Sequence, residues 1–92
     1  MIDPNNREVL TRIYRLVEKY ETPPKVVFED DAEKYFSEAL SDCMEIVNGF
    51  PGNRFARVLP IAVYDAIDER FKSVNDFPLQ EREPDPVQQS FI

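Results

Sequence analysis

Proline divides this chain before any other residue does. Pro4, the Pro23-Pro24 pair, Pro51 and Pro60 punctuate it at intervals long enough for helices. A proline ring fixes φ and removes a backbone donor, so it is tolerated where a helix starts and ends or kinks one anywhere deeper. Between the prolines, apolar residues recur at helical rather than strand spacing. The pattern predicts an all-α fold: a small three-helix bundle, its third helix broken or kinked at Pro60, followed by an extended C-terminal tail.

The first helix has the plainest signature. Asp3 stands at the capping position and Pro4 at the first helical one, where a missing N–H costs little. Val9, Ile13, Leu16 and Tyr20 then form an apolar row, widened by Leu10, Tyr14 and Val17. Arg7, Arg12, Arg15 and Lys19 fill much of the remaining surface, and Pro23-Pro24 stops the helix. Val26, Val27 and Phe28 read as an apolar connector pressed on the core rather than a strand, because no second strand is evident to pair with them.

The second helix is predicted to start near Asp30, with Glu33 three residues on completing a capping box. Its core row is Ala32, Phe36, Ala39, Cys43 and Val47, flanked by Tyr35, Leu40, Met44 and Ile46. Gly49 stands where a left-handed cap belongs, and Pro51 blocks continuation. Asn48 to Asn53 is therefore a turn, with Phe50 covering the core.

The segment from Asn53 to Asn75 is the most apolar. Its run from Val58 to Tyr64 could be a buried strand, but Pro60 would remove a ladder bond there. Phe55, Leu59, Ala62 and Ala66, and Val63, Ile67, Phe71 and Val74, trace helical rows instead. A proline inside a helix costs about 3 kcal/mol, so a break into two helices or a kink is expected. Apolar character on nearly every side makes this element central and covered by the other two; a homodimer contact is the alternative.

Residues 1–75 thus form the helical domain, and 76–92 an extended tail packed on that domain or on a partner. The tail carries three prolines and no sustained period. Its end offers two short motifs. Ser90-Phe91-Ile92 resembles the C-terminal pattern captured by PDZ domains through strand addition. Gln88 to Ile92 resembles the glutamine-led pentapeptide that docks on bacterial sliding clamps. Against these hooks stands a strap, with Phe77, Leu79, Val87 and Phe91 covering a groove of the same chain.

Size and charge set the outer bounds. Ninety-two residues make one domain, burying roughly 65% of the unfolded surface. Lone Cys43 has no partner for an intramolecular disulfide, which fits a reducing, cytoplasmic setting, and a small buried hydrophobe is its expected role. No apolar run reaches the ~20 residues of a membrane span, and no secretory signal is evident. Eighteen acids against eleven bases give a net charge of −7. Direct nucleic-acid binding needs a basic stripe and is not expected, nor is docking on an anionic membrane.

The chemistry is sparse. The chain has no histidine and one cysteine, so histidine-based catalysis, zinc ribbons and CxxC redox motifs are excluded. Gly49 and Gly52 are its two glycines, too few for a phosphate-binding loop. Asp65 with Asp68 or Glu69 offers carboxylate pairs, but neighbouring turns of one helix supply no cleft. Glu29, Asp30, Asp31 and Glu33 lack the spacing of a calcium loop and suit a helix N-terminus. No catalytic residue, metal ligand or cofactor is assigned.

Binding is the function left open. From Glu29 to Asn48 stand seven acids and one base, with Glu38, Asp42 and Glu45 on one helical face. Either this stripe meets the basic side of the first helix, or it is free for a basic protein partner, as in inhibitors that imitate a nucleic-acid backbone. The expected function is a small acidic, non-catalytic protein-interaction module, a regulator or inhibitor. A structural, homo-oligomerising subunit and a carboxylate-based enzyme are the alternatives. Glu38, Asp42, Glu45, Gln88, Ser90, Phe91 and Ile92 are the candidate partner-binding residues.

Overall fold

The computed structural model describes residues 3–82, which form three helices: α1 (Pro4–Lys19), α2 (Glu29–Gly49) and α3 (Arg54–Val74). The fold is the small all-α bundle that the spacing predicts. α1 begins as expected, with the Asp3 carboxylate accepting the Asn5 N–H at 2.8 Å and Pro4 opening the helix.

α2 starts differently. The capping box does not form: the helix opens at Glu29, Phe28 occupies the capping position, and no side chain caps it. The beginning of the tail does so instead. The Glu29 N–H donates to the Gln80 carbonyl at 2.8 Å, while the Gln80 N–H donates to the Val27 carbonyl at 2.8 Å. Phe28 and Gln80 thereby make an isolated parallel bridge. The connector has a pairing partner after all, but one bridge does not make a strand. Glu29, Asp30 and Asp31 occupy the first turn, where the helix dipole favours negative charge.

Gly49 is not the left-handed cap. It is still helical, Phe50 closes the helix, and the positive φ of 81° falls on Gly52, inside the turn. Asn53 then caps α3, its Oδ1 accepting the Ala56 N–H at 3.1 Å. The two-helix form of the third element does not occur. α3 is one helix with Pro60 inside it, the ring fully buried on the core side. The ring leaves the Ala56 carbonyl without its usual helical donor, a loss that burial of the ring offsets.

Asn53 also sets the relative direction of two helices. Its Nδ2 donates to Asn6 Oδ1 at 2.8 Å and to Asn5 Oδ1, tying the N-terminal ends of α1 and α3 together. Those two helices therefore run parallel, and α2 runs antiparallel to both. Val9, Leu16, Tyr20, Ala39, Cys43, Ile46, Ala56 and Ile67 form the core. Ile46 is buried where the spacing made it a flank, and Phe36 and Val47 are half-buried where it made them core.

Beside this core lies an aromatic cluster. Phe71, fully buried, stacks on Tyr35 at 5.0 Å and meets Phe36 edge-on at 4.8 Å. Below it Asn75, a buried polar side chain, locks the α1–α2 connector to the end of α3. Its Oδ1 accepts the Val26 N–H at 2.7 Å, and its Nδ2 donates to the Pro24 and Phe71 carbonyls, each at 3.0 Å. One side chain so satisfies two backbone groups of the connector and a carbonyl in the last turn of α3.

Candidate functional site

The acidic face of α2 meets the basic face of α1. Lys19 Nζ lies 2.7 Å from Asp42 Oδ2 and 3.0 Å from Glu38 Oε1. The Tyr20 hydroxyl donates to the same Asp42 oxygen at 2.6 Å. Glu45, one turn further, lines a shallow groove with Arg12 and Arg15. Of the two arrangements the sequence leaves open, this is the internal one for Glu38 and Asp42.

The electrostatics follow from that contact. Burial works against the Asp42 charge, but the Lys19 ammonium and Tyr20 hydroxyl outweigh it and hold its carboxyl below the usual carboxylate range. Asp42, then Glu38, raise the Lys19 pKa well above the ordinary lysine value. Burial, reinforced by Asp42, does the same for the Tyr20 phenol. The Cys43 thiol, buried in the core as expected, is pushed up to about 11 by that burial.

The start of the tail lies across the first turn of α2. Arg82 pairs with Asp30 at 2.7 Å and Asp31 at 3.3 Å, and its guanidinium sits 4.3 Å from the centre of the Phe28 ring. The Arg82 hydrogen bond holds the Asp30 carboxyl below its ordinary range. Phe77 meets Phe71 edge-on at 6.4 Å, and Leu79 is half-buried. Residues 76–82 thus act as a strap. Val87 and the candidate residues Gln88, Ser90, Phe91 and Ile92 lie outside the described residues.

Between α2 and α3 runs an open apolar groove floored by Ala32, Phe36 and Tyr64 and edged by Leu40 and Phe77. Glu29, Glu33 and Asp68 also line it. Asp68 is paired with Lys72 at 3.1 Å. Among the described residues, no three potential metal-ligating side chains gather closely enough to hold an ion, and no helix is long and apolar enough to cross a membrane.

The largest departure from expectation is on α3. Its apolar character predicts a covered, central helix, and one side is covered by Ala56, Pro60, Ile67 and Phe71 packing inward. The other side is not. Phe55, Val58 and Ile61 remain 50%, 53% and 57% exposed. Two neighbours can cover only one side of a third helix, and α3 is apolar beyond that side. Comparison with known proteins finds no matching family model, curated protein or solved structure.

Proposed function

We propose that this chain is a small, acidic, non-catalytic protein-interaction module that docks through the outer side of the first half of α3. The observation that carries the reading is the exposure of Phe55, Val58 and Ile61 within two turns of one helix. Large side chains on a packed scaffold form the kind of contiguous apolar surface that marks a docking site. The acidic stripe supports the reading less, because Glu38 and Asp42 already hold Lys19. Net charge of −7 still favours a partner whose contacting rim is basic, and disfavours nucleic acid.

Occupancy rather than chemistry is the mode of action. The absence of histidine and the exposed position of Asp65 and Glu69 on α3 support this side of the proposal. A buried lone thiol suits a reducing, cytoplasmic setting.

The test is affinity capture from the native host, with the unaltered chain compared with a Val58→Ser/Ile61→Ser double variant. Specific capture by the unaltered chain, lost in a variant that keeps its circular dichroism and melting temperature, is the expected result. Capture that survives both substitutions, or fails for both proteins while neither self-associates, would remove α3 as the docking surface.

A further inference from the structure

The outer side of α3 carries a pattern that matches itself. Arg54, Val58, Ile61 and Asp65 follow one another at spacings of four, three and four residues, and all are exposed. At 100° per residue they fall within about 60° of arc, about 140° round the helix from the buried row. They form a straight seam about 17 Å long, basic at one end, apolar in the middle and acidic at the other. Arg54 and Asp65 make no ion pair with any described residue. Both charges are available to something outside the bundle.

We propose that the occupant of this face is a second copy of the same chain, its α3 antiparallel to the first. The proposal rests on the interaction-module reading and names its partner: each copy carries a net charge of −7, and the basic part of the contacting rim is supplied locally by Arg54. The seam has a two-fold centre between Leu59 and Pro60. Rotation about that point sets Val58 against Ile61 of the second copy and Arg54 against Asp65 of the second copy. Each contact then occurs twice, as an isologous interface requires. A parallel pair would instead place Arg54 against Arg54 and Asp65 against Asp65. Like charges at both ends select the antiparallel form.

Aromatic side chains border the seam on both flanks. Phe55 stands beside the seam on the α1 side and Tyr64, half-buried at the edge of the α2–α3 groove, beside it on the α2 side, so the same rotation sets both copies of Phe55 along one flank of the interface and both copies of Tyr64 along the other. At each end of the apolar centre, just inside the ion pair, an aromatic side chain so lies on either flank. A seam this short belongs to the small, weakly associating class of interface, so the dimer forms and dissociates with concentration.

Sedimentation equilibrium of the full chain from about 1 µM to 1 mM, near 0.15 M salt, provides the test; this range spans the affinities of weak interfaces. A monomer–dimer equilibrium is expected. Arg54→Glu alone, or Asp65→Arg alone, opposes like charges twice and is expected to raise Kd at least ~10-fold. Mixing the two variants restores both pairs in a heterodimer and returns the affinity toward that of the unaltered chain. Loss in each single variant followed by rescue on mixing is specific to the antiparallel register, because in a parallel pair either swap only replaces one like-charged pair by another. A chain that stays monomeric throughout, or a dimer indifferent to both charge swaps, overturns the proposal. In that case, capture of a foreign protein that is lost on Val58→Ser/Ile61→Ser leaves the interaction-module reading standing without self-association.

Discussion

Both sides of α3 carry large apolar side chains, and the two sets have opposite fates. Inward, Ala56, Pro60, Ile67 and Phe71 are buried; outward, Phe55, Val58 and Ile61 stand about half in water. Hydrophobicity does not separate them, since both rows carry large apolar groups. What separates them is the number of neighbours available. α1 and α2 approach α3 from one side, and nothing among the described residues approaches from the other. Apolar surface that the bundle cannot cover is therefore the strongest pointer to what the molecule does beyond folding.

The hardest blow to the inward side is Phe71→Ala. The ring is fully buried against Tyr35 and Phe36, so truncation is expected to destabilise the fold by about 3–5 kcal/mol in chemical denaturation. Asn75→Ala comes next. It deprives the Val26 N–H and the Pro24 carbonyl of partners at the same end of α3, an expected loss of about 2–3 kcal/mol, with faster amide exchange in the connector.

The α1–α2 ion pair gives a smaller effect with a pH signature. The carboxyl of Asp42 titrates lower in the folded chain than in the unfolded one, so the unfolded state takes up its proton first as pH falls. Its stabilisation is therefore complete above about pH 4 and lost on acidification through the lowered folded value. Asp42→Asn is expected to lose about 1 kcal/mol at pH 7 and to flatten the acid limb of the stability profile.

At the bottom of the scale stands the outward side. Val58→Ser and Ile61→Ser, measured at concentrations where the chain is monomeric, are expected to change stability by no more than about 0.5 kcal/mol each. Losses comparable with that of Phe71→Ala would show that the two sides of α3 share one role, and the comparison would fail.

The helices were legible for local reasons. Pro4 after Asp3, the double proline at 23–24 and the recurrence of Val9, Leu16 and Tyr20 are signals within a few residues of each other. The start of α2 was misjudged because the acids at 29–33 all suit a first turn, and the deciding contact comes from the backbone of Gln80, which leaves no side-chain signature. Asn75 was missed for a related reason. A polar residue following a helix looks like solvent-facing punctuation until the connector from α1 is folded against it. The helical spacing of Glu38, Asp42 and Glu45 was readable, but their meeting with Lys19 depends on how two helices are placed, which spacing alone does not decide. For α3 the pattern announced apolar surface on most sides and could not say which side the bundle would cover.

Cys43 gives the molecule a built-in clock. The sulfur is enclosed by the core, and its reluctance to ionise slows alkylation further at neutral pH. A thiol reagent therefore reaches it only when α2 swings away or the whole bundle opens, and the chain contains no second sulfhydryl to confuse the signal. The rate of modification under native conditions counts those openings directly, without any engineered label.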